Sequence, residues 1–399
     1  MMPVARKRSA SLAGLVGAIM VAAGWALAVE PPAVPAPVAK LLEGQSLTEE
    51  ERKDIRIRHG VWEDGDLDTP VRKGQAAVLV GRWDDAALAD AGADLLDRVE
   101  GMINRGEIAG ALAATAELAA AKSPAPRVIR LRCQALLLAG RGVEAEALLK
   151  PLAERLAGEK LDSAEDLVEG VRCMMLRADL PASITGATAK AGDYRAMLAM
   201  LARARTELDR LCWRAFAVEA VLLVDKDNGE EGEKAAREAI ELCPRSAEAK
   251  FALGSLAVDT FAFDEAESLA GQISEDAPGS PYAATLVARA RLRQSDSDGA
   301  ALTLAPALAK YPNSPLLKLI EAATAAIAFD VPRTTALLKA FEESFPGSAA
   351  AEFEVGRVLS DARQYAEAAV HLRAASKLAP GWARPLSELG LLEMQAGRD

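Results

Sequence analysis

Histidines, cysteines and carboxylate clusters are the groups with which this 399-residue chain could do chemistry, and their spacing assigns them none. Its two histidines are His59, in "IRIRHGVW", and His371, in "AVHLRAASK". Neither belongs to an HExxH pair, and no GxSxG elbow, phosphate-cradling loop or GxGxxG turn after a strand is present. His59 is a candidate loop donor, whereas His371 falls in a helix-patterned run and reads as a surface or packing residue. Cys133, Cys173, Cys212 and Cys243 lack CxxC spacing, which points to neither a zinc knuckle nor a thioredoxin-type pair. Each lies in a helical pattern and reads as a buried thiol, with pairing in an exported chain left open. "DNGEEGE" (227–233) and "EDGDLD" (63–68) lack the alternating carboxylates and closing glutamate of a calcium loop, so both read as solvated turns. No catalytic residue, metal ligand or cofactor site is expected.

The regularity lies elsewhere. Pro244, Pro278, Pro312, Pro346 and Pro380 recur every 34 residues. Counting each unit so that this proline is position 32, position 8 carries Gly254, Ala288, Ala322, Gly356 and Gly390. Position 20 carries Ala266, Ala300, Thr334 and Ala368. Small residues at two fixed places let two antiparallel helices approach closely. Ser246, Ser280, Ser314 and Ser348 follow the first four prolines by two residues and are predicted to cap the next helix. Pro281 and Pro315 then suit a first helical position. Each unit is therefore predicted to be a helical hairpin, separated from the next by its proline. One hairpin cannot bury its apolar face alone, and stacked neighbours can.

Leu253-Gly254, Ala266 and Pro278 in one unit, with Val355-Gly356, Ala368, Ala375 and Pro380 in another, resemble the tetratricopeptide repeat. Position 4 (Lys250, Ala284, Lys318, Glu352) and position 11 (Ala257, Arg291, Ala325, Leu359) depart from the Trp and Tyr that the family favours. The resemblance implies an all-α, right-handed α-solenoid whose first helices line a concave groove for peptides or partner segments. By that resemblance the groove positions are Phe251, Tyr282 and Phe353 as apolar anchors, with Arg289 and Arg357 reading carboxylates. The alternative is that these aromatics are packing residues and the arginines are solvated. The Lys/Asn clamp for C-terminal carboxylates is absent at these positions.

Upstream of 213 the period loosens. Runs at 76–96, 103–126 and 137–158 read as divergent repeats, with Gly81-Arg82-Trp83-Asp84 at one turn and Ala145 in the position-20 role. A helix over 160–180 is predicted to start at an Asp162/Ser163 cap. Residues 46–75 are expected to cap the array, 29–45 to form a Pro/Ala-rich linker, and 1–28 to be an export signal with cleavage after Ala26-Leu27-Ala28. An uncleaved membrane anchor is the alternative to cleavage. The whole chain carries −11, and loss of Arg6, Lys7 and Arg8 would leave −14. That acidity argues against nucleic-acid and anionic-lipid partners. The regular array, 213–399, ends in a half unit whose Leu389, Leu391, Leu392 and Met394 are expected to present an uncovered face.

The sequence thus points to an exported, periplasmic or secreted, non-catalytic scaffold for a protein or peptide partner. Two alternatives remain: the docking portion of a longer, peptidase-like hydrolase, and a structural spacer in an envelope complex. Partner identity and oligomeric state are not encoded in any motif.

Overall fold

The computed structural model describes residues 78–84, 94–158, 161–186, 194–209, 211–226 and 228–395. The predicted signal, linker and capping regions, with His59 and "EDGDLD", lie outside them. The described residues form nineteen α-helices and no strand.

The regular array is built from α9 (Trp213–Asp225) and α10 (Gly229–Leu242), α11 (Ala247–Asp259) and α12 (Phe263–Asp276), α13 (Pro281–Arg293) and α14 (Ser297–Lys310), α15 (Pro315–Ile327) and α16 (Val331–Ser344), α17 (Ala350–Asp361) and α18 (Tyr365–Leu378), and α19 (Arg384–Gln395). The second helices end at 242, 276, 310, 344 and 378, two residues before each array proline. Two residues after the first helices of four units comes a residue in the left-handed region, again 34 apart: Phe261, Ser295, Phe329 and Arg363.

Small residues sit where the helices cross. Ala288, Ala322, Ala266, Ala300 and Ala368 are fully buried. A methyl at Gly254 would come within 2.6 Å of Leu286, and one at Gly356 within 2.8 Å of Leu372. Larger side chains there would hold the helices apart.

The serine caps are only partly as expected. The Ser246 hydroxyl accepts the Ala249 N–H at 3.1 Å. Ser280 and Ser314 occupy the cap position without making that bond, and the fourth cap position is Ala349. Pro281 and Pro315 already fix φ at the first helical position and leave one orphan N–H fewer to satisfy. Ser280 Oγ instead donates to the Gly81 carbonyl, 3.4 Å away.

The upstream helices are α1 (Leu95–Arg105), α2 (Ile108–Ala114), α3 (Ala116–Ala119), α4 (Pro126–Leu138), α5 (Gly142–Gly158), α6 (Ala164–Ala178), α7 (Ala182–Thr185) and α8 (Tyr194–Arg203, continued by a π turn over Ala204–Leu208). Ser163 caps α6 by accepting the Asp166 N–H at 3.2 Å. Ala145 is fully buried on α5. All four cysteines are buried free thiols, and burial pushes Cys133 up to about 12.

Loops of the regular array return onto turns of the upstream helices. Ser280 meets Gly81, Asn313 meets Gly106, Gly347 meets Leu137 and Gly140, and Gly381 meets Ala178. The separations are 199, 207, 207 and 203 residues, close to six 34-residue units. The solenoid thus closes on itself about once every six hairpins. Residues 78–84 form a strap across this seam. Trp83 is buried edge-on against Tyr282 and Tyr311, with ring centroids 5.1 and 6.0 Å away. Arg82 donates two hydrogen bonds to the Asp276 carbonyl, Lys310 pairs with Asp84 at 2.8 Å, and Arg105 donates to the Trp83 carbonyl.

At Gly347 an added methyl would overlap the Leu137 carbonyl oxygen, a backbone atom that cannot rotate away. Gly347→Ala is therefore expected to loosen the seam, lowering the melting temperature and enlarging the radius of gyration by solution scattering. Gly271→Ala, in an open position within α12, should be neutral or stabilising by about 1 kcal/mol.

Candidate binding cavity

Two charge systems lie on the first helices, one closed and one open. The closed system is in the regular array. Arg289 on α13 reaches past α15 to Glu354 on α17, with both bonds at 3.0–3.1 Å. Arg357 donates to Glu354 and to Asp259 on α11, each at 2.8 Å. Arg293 pairs with Asp361 at 2.6 Å, and Arg384 approaches Asp259 at 3.5 Å. The pairs between helices cross two to four units, and the intervening α15 presents the small, buried Ala322, Ala323 and Ala326. Glu354 and Arg357 are buried. Burial alone would raise the Glu354 carboxyl, but the charges of Arg289 and Arg357 outweigh it and hold it down at about 2.

The candidate groove residues thus have defined positions. Phe251 packs against Tyr282 at 4.7 Å, and the Arg289 guanidinium lies 5.9 Å over the Phe251 ring. Phe353 is buried against Trp382 at 4.6 Å. Both candidate arginines are engaged within the chain, Arg289 by Glu354 and Arg357 by Glu354 and Asp259. Of the five, Tyr282 lines an open cavity. His371 Nδ1 lies 2.7 Å from Glu352, a contact between α17 and α18.

That cavity is the open system. It encloses about 940 Å³ between α1, α4, α6 and α9 on one side and the strap, Glu248 of α11 and Tyr282 on the other. Such a volume is at the upper end of ordinary ligand pockets, about 300–1,000 Å³. A charge ladder runs along its wall. Asp97 and Glu100 on α1 pair with Arg127 on α4, at 2.6 and 3.0 Å. Arg130 bridges Glu100, at 3.2 Å, to Glu169 on α6. Arg172 holds Glu248 through both carboxylate oxygens at 2.6 and 2.7 Å. Burial opposes ionisation of Glu100, yet Arg130 and Arg127 keep its carboxyl far below the usual range. Asp97 is shifted the other way, because burial exceeds the help from Arg127, and its Oδ2 is buried without a hydrogen-bond partner. Sequence reasoning placed the groove in the regular array and missed these residues. The available signal was a charge on each successive first helix, at Glu100, Arg130 and Glu169.

Among the described residues no cluster of His, Cys, Asp or Glu is arranged to hold a metal ion. No helix among them is long and apolar enough to cross a membrane. The uncovered face expected at the end of the array is also only partly open. Leu392 is fully buried, whereas Leu386, Leu391 and Met394 on α19 are exposed.

Helical hairpins that start and stop on a 34-residue count, with small residues at the two crossing positions, decide the repeat type. The fold is a tetratricopeptide-type helical repeat array. Solved structures similar to it include the Cut9–Hcn1 hetero-tetramer of the APC/C, at 12% identity over 89% of this chain and 68% of that one, with a TM-score of 0.49. A tetratricopeptide repeat protein from Parabacteroides merdae matches at 14% identity over 67% of this chain and 98% of its own, with a TM-score of 0.42. Yeast Tom70 matches at 13% identity over 90% and 88%, with a TM-score of 0.41. No protein-family model and no curated protein sequence matches the chain.

Removing one partner of a buried ion pair strands the other and costs about 3–5 kcal/mol. Arg357→Ala is thus expected to lower the melting temperature by several degrees. Because Glu354 sits below its unfolded value near 4.5, its stabilisation is present above that pH and is lost as pH falls toward 2. Thermal melts from pH 5 to 2.5 should show a steep loss in the wild type. In Glu354→Gln, already weaker at pH 7, that loss should be shallower.

Proposed function

We propose that this protein is a non-catalytic scaffold that holds a segment of a protein partner in its axial cavity, and that it works in the cell envelope. The observation that carries the reading is the contrast between the two charge systems. The array's concave face is filled by its own arginines and carboxylates, while the wall formed by α1, α4, α6 and α9 encloses an open, strongly polar space. Aromatic residues Trp83, Trp213 and Tyr282 stand among the charges there, a combination that suits side chains with an apolar stem and a polar end. The helices that carry the wall are braced against one another by ion pairs, so the surface is preorganised and binding orders little of the protein itself. The envelope assignment is supported by the charged start, apolar core and small-x-small site of residues 1–28.

A photo-crosslinking residue placed at Met175, inside the cavity, or at Leu302, exposed on the array's outer surface, tests the reading in cells. One discrete protein adduct is expected from the Met175 position and not from Leu302. Adducts from Leu302 with none from Met175 would move the binding surface to the outside and support a spacer instead.

A further inference from the structure

The charges lining the cavity are unequal. Among the described residues, ten carboxylates line it against four guanidiniums, and no lysine or histidine does. The four arginines, Arg127, Arg130, Arg172 and Arg214, are engaged with Asp97, Glu100, Glu169, Glu248 and Glu165. The other five carboxylates, Asp94, Asp162, Asp166, Asp179 and Asp209, make no ion pair with any described residue. Asp94 and Asp209 accept one backbone N–H each, from Leu96 and Leu211. Asp162 is exposed to the cavity, next to the α6 cap.

A second observation points the same way. Asp97 is 3% exposed, yet its Oδ2 has no donor. A buried acceptor without a donor is costly, and a ligand that brings an N–H would supply what the fold does not. Burial raises the Asp166 carboxyl, and repulsion from Glu165 adds to that.

We propose that the axial cavity takes an extended, lysine- and arginine-rich segment of a protein partner. This rests on the cavity being the binding site, and it reverses the polarity of a groove built to read carboxylates. The occupant's cations pair with the five unengaged carboxylates, while the arginine-held carboxylates keep the wall rigid. The acidity of the whole chain adds steering toward a basic partner.

The test uses the full chain and three short fluorescein-labelled peptides of equal length: lysine–alanine, serine–alanine and glutamate–alanine. Anisotropy is read for the wild type, for Asp162→Asn with Asp166→Asn, and for Glu230→Gln with Glu231→Gln, which removes the same charge from the exposed start of α10. The lysine–alanine peptide is expected to bind the wild type and the α10 variant alike, and the cavity variant at least about tenfold more weakly. Equal losses in both variants would mean attraction to an acidic surface and would overturn the proposal. Tightest binding by the serine–alanine or glutamate–alanine peptide, blocked by a crosslink from Met175, would overturn the cationic class while leaving the cavity as the site. No binding by any of the three would overturn both. Lysine–alanine binding that appears only after deletion of residues 46–77 would make the chain's own Arg52, Lys53, Arg56 and Arg58 the occupant and overturn the partner.

Discussion

Everything else in the structure depends on how closely successive hairpins approach. Glycine and alanine at the crossing positions bring the first helices together, and the tight stacking curves the array until its loops touch its own earlier turns. Gly347 against Leu137, Gly381 against Ala178 and Gly106 against Asn313 are backbone meetings that leave no room for a side chain. These contacts convert an open ribbon, in which each unit touches only its neighbours, into a closed body with non-local contacts roughly 200 residues apart. The Trp83 strap is the apolar component of that closure. Its ring belongs to the same core as Leu317, Ile320 and Phe341 of the regular array.

Closure also divides the electrostatics. Where the first helices of the array crowd together, arginines reach carboxylates two to four units away and the concave face is consumed internally. Where the upstream helices stand apart, a comparable ladder of charges faces open space. One chemistry serves two ends: in the array the pairs are buried and structural, and in the cavity they stiffen a surface with carboxylates to spare. Stiff, charged walls of this kind favour selectivity and association rate over raw affinity.

Much of the fold was legible from residue spacing. The five prolines mark the helix ends to within two residues, and the small residues at positions 8 and 20 are the buried crossing points. Ser163, Ser246 and Ala145 do what their local sequence implies. Ser280 shows the limit, because its hydroxyl bonds a carbonyl 199 residues away and local capping rules carry no knowledge of that neighbour. The surroundings of the candidate groove residues are hidden from the sequence for the same reason. Arg289 and Arg357 do lie on first helices, α13 and α17, but whether such an arginine is free depends on the twist per unit, a sum of small packing angles that no single residue encodes.

The most direct test of the closed solenoid is zero-length carbodiimide coupling of the native protein, read by peptide mass spectrometry. Lys310 and Asp84 lie 2.8 Å apart across the seam, each partly exposed to reagent. The closed form requires an isopeptide between them, lost in Lys310→Arg and retained on dilution. If a local pair such as Lys339 with Glu343 couples while Lys310 and Asp84 do not, the array is open and the axial cavity does not exist.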